Sequence, residues 1–346
     1  YGLRGWNAGK AGDVRITIVC SMRNEGPFIV EWVTWYRMLG FTDIVVVSND
    51  CTDRSPELLD ALARAGSLHH IRCDVPDGQP ITPRKLKAAQ AHPAVRDADW
   101  LMIADVDEFL VIHCGAGLIG DLLAVADDPA ILGLSINWKV YGTSGRKEFA
   151  DVPVHQQFVY ASTRDHGSSN SIKSIFRHSD WFQTLGEHGP KGLLPEYAAQ
   201  PMRWITAAGK VVADWNPDGP YMRATPKALT SHKVAQINHY MLRSEETFSL
   251  KYRTPSPVAL RNRYTRWYFK RANSGEEMDA SAFRYADAFA AMQGQAMALP
   301  DVARLHHLCC ADHIGLICDK AGKRAADDQR YQDHLAAAEA LATAAG

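Results

Sequence analysis

Residues 98–112 read Ala98-Asp-Trp-Leu-Met-Ile-Ala-Asp-Val-Asp-Glu-Phe-Leu-Val-Ile112. Trp100 to Ala104 is short and apolar, the pattern of a buried strand. It runs directly into Asp105-Val106-Asp107-Glu108. In extended backbone, residues i and i+2 point the same way, so Asp105 and Asp107 are predicted to present their carboxylates together. Two clustered hard oxygen ligands suit Mg²⁺ or Mn²⁺, completed by water and substrate phosphates. A solvated turn after a strand can show the same pattern, so the residues upstream decide between the two.

Upstream, strand and helix alternate. Val14 to Cys20 is an apolar, β-branched run and reads as a buried strand. Pro27 suits the first turn of a helix. Phe28, Trp32, Tyr36 and Leu39 follow at helical spacing, and Gly40 is the expected stop. Ile44 to Val47 is a second strand, and Ser55-Pro56-Glu57 opens a helix ending near Gly66. Leu68 to Cys73 is a third strand, Pro83 to Gln90 a helix, and Trp100 to Ala104 the fourth strand. This alternation predicts an α/β fold with a mainly parallel sheet and right-handed crossovers. Ligands of such sheets lie beyond the carboxyl ends of the strands, near a topological switch point. Three polar clusters fall at those ends: Ser21 to Glu25, Ser48-Asn49-Asp50, and Asp105 to Asp107.

The whole chain is consistent with that picture. Its 346 residues include 38 Lys plus Arg and 39 Asp plus Glu, for a net charge of −1. Such a balance lacks the basic excess that binding a nucleic-acid backbone requires, but it leaves one small diphosphate open as a ligand. The most apolar region, Leu101 to Ala126, is interrupted by Asp105, Asp107, Glu108 and Asp121. No transmembrane segment is therefore expected, while peripheral membrane contact stays open. The first residues, Tyr1 to Trp6, lack the apolar core of a signal peptide and lack Met, which suggests processing or a boundary. Seven cysteines, several inside predicted strands, fit reduced thiols in a cytoplasmic protein.

Other phosphate chemistries fit less well. There is no G-x-x-x-x-G-K-[ST] and no G-x-G-x-x-G after the first strand. Phe109 occupies the last place of a D-x-D-x-[TV] phosphatase motif.

Two stretches, residues 19–53 (VCSMRNEGPFIVEWVTWYRMLGFTDIVVVSNDCTD) and 98–112 (ADWLMIADVDEFLVI), resemble the family 2 and family 92 glycosyltransferases. Residues 237–252 (INHYMLRSEETFSLKY) are similar to a later segment of that family, and SIKSIFRHSDWF with EHGP (residues 171–182 and 187–190) less closely. The resemblance implies a GT-A fold, with a Rossmann-like sheet flanked by helices and a helical C-terminal region. It implies a donor-binding half over 14–112, an acceptor and catalytic half over 113–254, and a helical extension over 255–346. It also implies sugar transfer from a nucleotide-diphosphate donor, UDP-linked, to a glycan, glycoconjugate or other hydroxyl acceptor, with Mn²⁺ or Mg²⁺ and inversion. Polysaccharide biosynthesis is the implied setting.

Residue by residue, the resemblance puts Asn24, Glu25, Asn49 and Asp50 at the nucleoside. Asp74 then meets the base, and Arg84 and Lys173 meet the diphosphate or its surroundings. Asn24 could instead cap the helix at Pro27. Asp107 is implied as the direct metal ligand, with Asp105 on ribose or metal-bound water and Glu108 bracing backbone. His239 is the distant metal ligand, a place His188 could fill instead. Lys173, Arg177, Arg243 and Lys251 are the basic candidates near the leaving diphosphate. Inversion requires a general base; Glu187 leads, with His188, Asp180 and Asp214 as alternatives. Trp138, Trp181 and Trp204 are candidate platforms for an acceptor sugar. The competing functions are an Asp-pair nucleotidyltransferase or phosphatase, and an inert glycan- or nucleotide-binding protein on the same scaffold.

One further pattern stands apart. If residues 306–313 are helical, His306, Cys310 and His313 share a face at spacings zinc could use, though without paired C-x-x-C motifs. The tail from Ala325 to Gly346 reads as helix.

Overall fold

A computed structural model describes residues 14–76, 78–255, 262–273 and 275–344. The Tyr1–Trp6 stretch and Gly346 lie outside these. The first part alternates as expected: β1 (Ile16–Met22), α1 (Gly26–Leu39), β2 (Asp43–Ser48), α2 (Ser55–Arg64), β3 (His69–Arg72), α3 (Ile81–Gln90), α4 (Pro93–Arg96), β4 (Trp100–Ile103) and β5 (Glu108–Ile112). There follow α5 (Ile119–Leu123), β6 (Ile131–Val140), α6 (Val154–Gln157), β7 (Tyr160–Ala161), β8 (Ile172–Phe176), β9 (Phe182–Gly186), β10 (Gly189–Leu193), β11 (Arg203–Thr206) and β12 (Ala235–His239). The last part holds α7 (Glu245–Lys251), α8 (Arg266–Ala272), β13 (Glu277–Met278), α9 (Ala286–Met297), α10 (Val302–Lys320) and α11 (Gln329–Ala344).

The central sheet runs β3-β2-β1-β4-β8-β6-β12-β5, with β11 alongside β6. β1 pairs in parallel with both β2 and β4, so the chain reverses its direction of travel across the sheet between them. That is the topological switch point, and Met22 to Glu25 and Ala104 to Asp107 leave from it. β8 and β5 run antiparallel to their neighbours, which makes the sheet mixed rather than all parallel. β4 and β5 are joined by four residues yet stand fourth and eighth in strand order, so the sheet curls until its far edge returns beside Asp105-Val106-Asp107.

α1 shows why the curl holds. Its sequence predicts one apolar face, but every residue from Gly26 to Leu39 except Arg37 is buried. A helix buried all round belongs to a core, although this one takes Glu31 and Thr34 inside with it. The sheet covers one side and α9 and α10 the other. Gly26 permits the closest approach, because a Cβ there would sit 2.5 Å from that of Cys309. Gly40 ends the helix at φ 99°, its N–H donating to Arg37 O at 3.0 Å. The C-terminal segment is therefore part of the principal core, not only an outer helical layer. It also contributes a strand, β13, which pairs with β7.

Among the described residues, no helix is long and apolar enough to cross a membrane. All seven cysteines are free thiols.

Candidate active site

Three aromatic donors on α1 hold the acidic turn by its backbone. Trp32 Nε1 donates to Asp105 O at 3.0 Å, Tyr36 Oη to Glu108 O at 3.0 Å, and Trp35 Nε1 to Leu110 O at 2.9 Å. The spacing of residues 32, 35 and 36 puts them on one side of the helix. Glu108 braces the same turn by accepting from Asp105 N at 2.9 Å.

The β5–β12 ladder then delivers a distant histidine. His239 stands opposite Glu108 in the antiparallel register and beside Val140 in β6. His239 Nε2 lies 3.5 Å from Asp107 Oδ1, and its Nδ1 lies 3.8 Å from Glu108 Oε1. Trp138 packs edge-on against this imidazole at 4.4 Å between ring centroids.

Cations surround the carboxylates. Lys173 on β8 is fully buried, 3.0 Å from Asp105 Oδ2 and 2.9 Å from Glu108 Oε2, and donates to Glu187 O at 2.8 Å. Lys251 Nζ is 3.4 Å from Asp107 Oδ2 and 3.9 Å from Glu25 Oε1. Arg243 binds Glu25 at 2.6 Å and lies 3.4 Å from the centre of the Phe28 ring.

These neighbours set the protonation states. Burial pushes Asp107 upward, but Lys251, His239 and Arg243 outweigh it and hold the carboxyl well below its usual range. Burial disfavours the Lys173 ammonium, yet Asp105 and Glu108 keep it charged. Burial pushes Glu108 up to about 7 against the pull of Lys173. Burial, with Asp105 beside it, also raises Glu187. Burial and Lys173 lower His188 to about 4. Its Nδ1 faces Ile172 O at 2.7 Å, so that nitrogen carries the proton and the ring is neutral at pH 7.

The donor set fits a hard divalent ion. Asp107 and His239 supply oxygen and nitrogen close enough to share one ion, and Asp105 lies on the same turn. On the other side of the imidazole, Glu108 Oε1 and His239 Nδ1 are both buried with no hydrogen-bond partner.

Several residues singled out in the sequence sit elsewhere or act differently. Asn24, at φ 54°, does not cap α1: its amide bonds Thr52 twice, at 2.8 and 2.9 Å, joining the loops after β1 and β2. The α1 N-terminus is met instead by Asp53, which accepts from Gly26 N at 3.3 Å. Asn49 is buried and bonds Asp50. Asp74 is exposed, its carbonyl accepting from exposed Arg84 at 2.9 Å. The basic group that α3 turns toward the rim is Lys85, one residue on, which donates to Met22 O at 3.1 Å. Burial lowers it to about 8. Only a Lys beside a rim-facing helix position hinted at this in the sequence.

Arg177 is directed away, over Trp100 and onto Ala126 O. Asp180 follows Phe176, the end of antiparallel β8 opposite to the rim, and Asp214 is exposed in a loop. Trp204 is buried against Trp215, and Trp181 stacks between His178 and Tyr197. Of the three tryptophans, Trp138 alone stands at the cluster. Glu187 and His188 form the two-residue tip of the β9–β10 hairpin.

No curated protein matches the sequence. Among solved structures, residues 1–349 of TarS from S. aureus are similar at 12% identity, over 96% of this chain and 92% of that chain, with a TM-score of 0.33. The same fragment in complex with UDP-GlcNAc gives 13% identity, the same coverages and a TM-score of 0.32. The apo WbbM bifunctional glycosyltransferase gives 11% identity over 86% of this chain and 52% of that chain, at a TM-score of 0.32. These scores describe a distant likeness and carry nothing about chemistry. The sequence match is of another kind: residues 17–280 fit the model of one family from β1 through β13. The chain belongs to glycosyltransferase family 92.

Proposed function

We propose that this glycosyltransferase takes a sugar from a UDP-linked donor to a hydroxyl acceptor on a glycan or glycoconjugate, with inversion and with Mn²⁺ or Mg²⁺. The observation that carries the proposal is the meeting of Asp107 and His239 at 3.5 Å, at the switch point of the sheet. Asp107, His239 and Asp105 hold the ion. When bound, the ion would supply positive charge against the negative charge that builds on the leaving diphosphate.

The chain's own residues do the remainder. The loops after β1, β2 and β3, with Asn24, Glu25, Asn49, Asp50 and Asp74, form the nucleoside side in the 14–112 half, together with Arg84 on α3. Lys173 fixes Asp105 and the Glu187 backbone in one place, and Lys251 supplies positive charge beside Asp107. Glu187 takes the proton from the acceptor hydroxyl. That oxygen attacks the anomeric carbon, whose bond to the diphosphate oxygen breaks with its electron pair leaving on UDP. A raised Glu187 suits a base working near neutrality. His188 stays neutral beside it and offers Nε2 as an acceptor. Trp138 provides the apolar wall in the 113–254 half.

Calorimetry of UDP with Mn²⁺ tests the ion site. Asp107→Ala should abolish metal-dependent UDP binding, and unchanged binding rejects the assignment. For the base, Glu187→Gln should lose transfer while still binding UDP, and the acid limb of the wild-type rate should lie above the ordinary glutamate value of about 4.3. Retained transfer in that variant rejects Glu187.

A further inference from the structure

A second group of ligating side chains lies away from the rim, where α10 and α11 meet the loop before α6. Asp151 comes from that loop, His306, His307 and Cys310 from α10, and His334 from α11. Asp151, His307 and His334 each offer a ligand atom, all within 4.8 Å of one another. Asp151, His306 and Cys310 form a second such triad that shares the carboxylate. His313 is not part of either. It turns to Phe28 and Phe149 and bonds Thr247 at 3.2 Å, so the helical face drawn from the sequence divides.

We propose that Asp151, His307 and His334 bind a zinc-class divalent ion, with His306 positioning the carboxylate. Three features single out this triad. First, His307 Nδ1 and His334 Nδ1 face each other at 2.9 Å. Two imidazole nitrogens each about 2.0–2.1 Å from one zinc stand roughly 3 Å apart, so the pair needs little movement. Second, His306 Nε2 lies 2.9 Å from Asp151 Oδ1. A carboxylate that ligates a metal is held in place by such an outer hydrogen bond. Third, His307 and His334 are half-buried and Asp151 is exposed, beside a cleft of about 650 Å³ that Asp151 and His334 help to line. An ion can therefore enter, and a water can complete its shell. Cys310 is fully buried behind His306, 3.7 Å from its Nε2, and stays a thiol.

The ion would act as a clasp. The loop carrying Asp151 also holds the start of α7, since Glu245 N donates to Arg146 O at 3.2 Å and Glu246 N to Lys147 O at 2.9 Å. Joining this loop to α10 and α11 ties the last helices of the chain to the helix that bears Lys251. The inference is independent of the donor and the reaction.

The test uses the full chain, stripped with chelator, and ZnCl₂ alone. Wild type and Asp107→Asn should both show a zinc-dependent rise in Tm. His334→Gln and His307→Gln should lose it, with zinc binding weakened at least tenfold by calorimetry, while their metal-free melting stays close to that of wild type. Cys310→Ser should bind as wild type does, and Co²⁺ should give visible bands without a thiolate charge-transfer band. Zinc binding unchanged in both histidine variants overturns the proposal. So does loss of all zinc binding in Asp107→Asn, or a thiolate band that Cys310→Ser removes.

Discussion

The two carboxylate–imidazole clusters differ in what balances their charge. At the rim, Asp105, Asp107, Glu108 and Glu25 face Lys173, Lys251 and Arg243. Around Asp151, the one ion-pair partner among the described residues is His306. The rim cluster is thus held together by fixed cations whether or not a ligand is present. In the Asp151 cluster, burial lowers His307 and His334, so these two rings bring no standing charge to offset the carboxylate. A site built for a passing anionic substrate needs its own standing charges; a site built for a resident ion does not.

That contrast can be broken experimentally. The largest effect is expected at Asp107, which touches the proposed ion: Asp107→Ala should lower kcat by about 10³-fold, several kcal/mol of barrier, in a steady-state transfer assay. Next comes the buried lysine. Lys173→Met leaves Asp105 and Glu108 unpaired and should cost about 3–5 kcal/mol in denaturant unfolding. Adding Glu108→Gln should recover part of that loss, and no recovery would mean Lys173 acts through packing alone. Trp32→Phe removes one hydrogen bond to the Asp105 carbonyl and should cost about 1 kcal/mol in the same measurement. The last is a pH effect at His313, absent at neutral pH. Burial, then Arg243 and Lys251, lower it to about 3. Above about 6.5 the ring is neutral in both folded and unfolded chains and adds no pH dependence. Below that the unfolded chain binds the proton and the folded one does not, so stability should fall from about pH 6.5 toward 3. His313→Gln should flatten the decline of Tm over this range.

The strands and helices of residues 14–112 were readable because β1, β2 and β4 are largely apolar runs ending in polar clusters, although β3 (His-His-Ile-Arg) is not. Asp105 and Asp107 stand out for the same reason: local order in the sequence is local order in space. His239 could be named only by resemblance, because its neighbour Asp107 reaches it through a ladder between strands far apart in the chain. Arg84 and Lys85 show the limit at single positions: neighbours on a helix are about 100° apart, and without the phase of α3 either could be the one buried against the end of β1. Trp181 and Trp204 were indistinguishable from Trp138 because an aromatic residue reads the same in a core and in a cleft. Asp151 had no signal, since a lone loop aspartate acquires partners only when α10 and α11 fold back over it.

The register of β5 against β12 has one more consequence. A slip of one residue would replace His239 by Asn238 opposite Glu108 and send the imidazole to the other face of the sheet. This pairing joins segments far apart in sequence, the kind of contact that forms late in folding. A chain whose sheet had closed out of step would lack the imidazole beside Asp107 on which the proposed ion site depends.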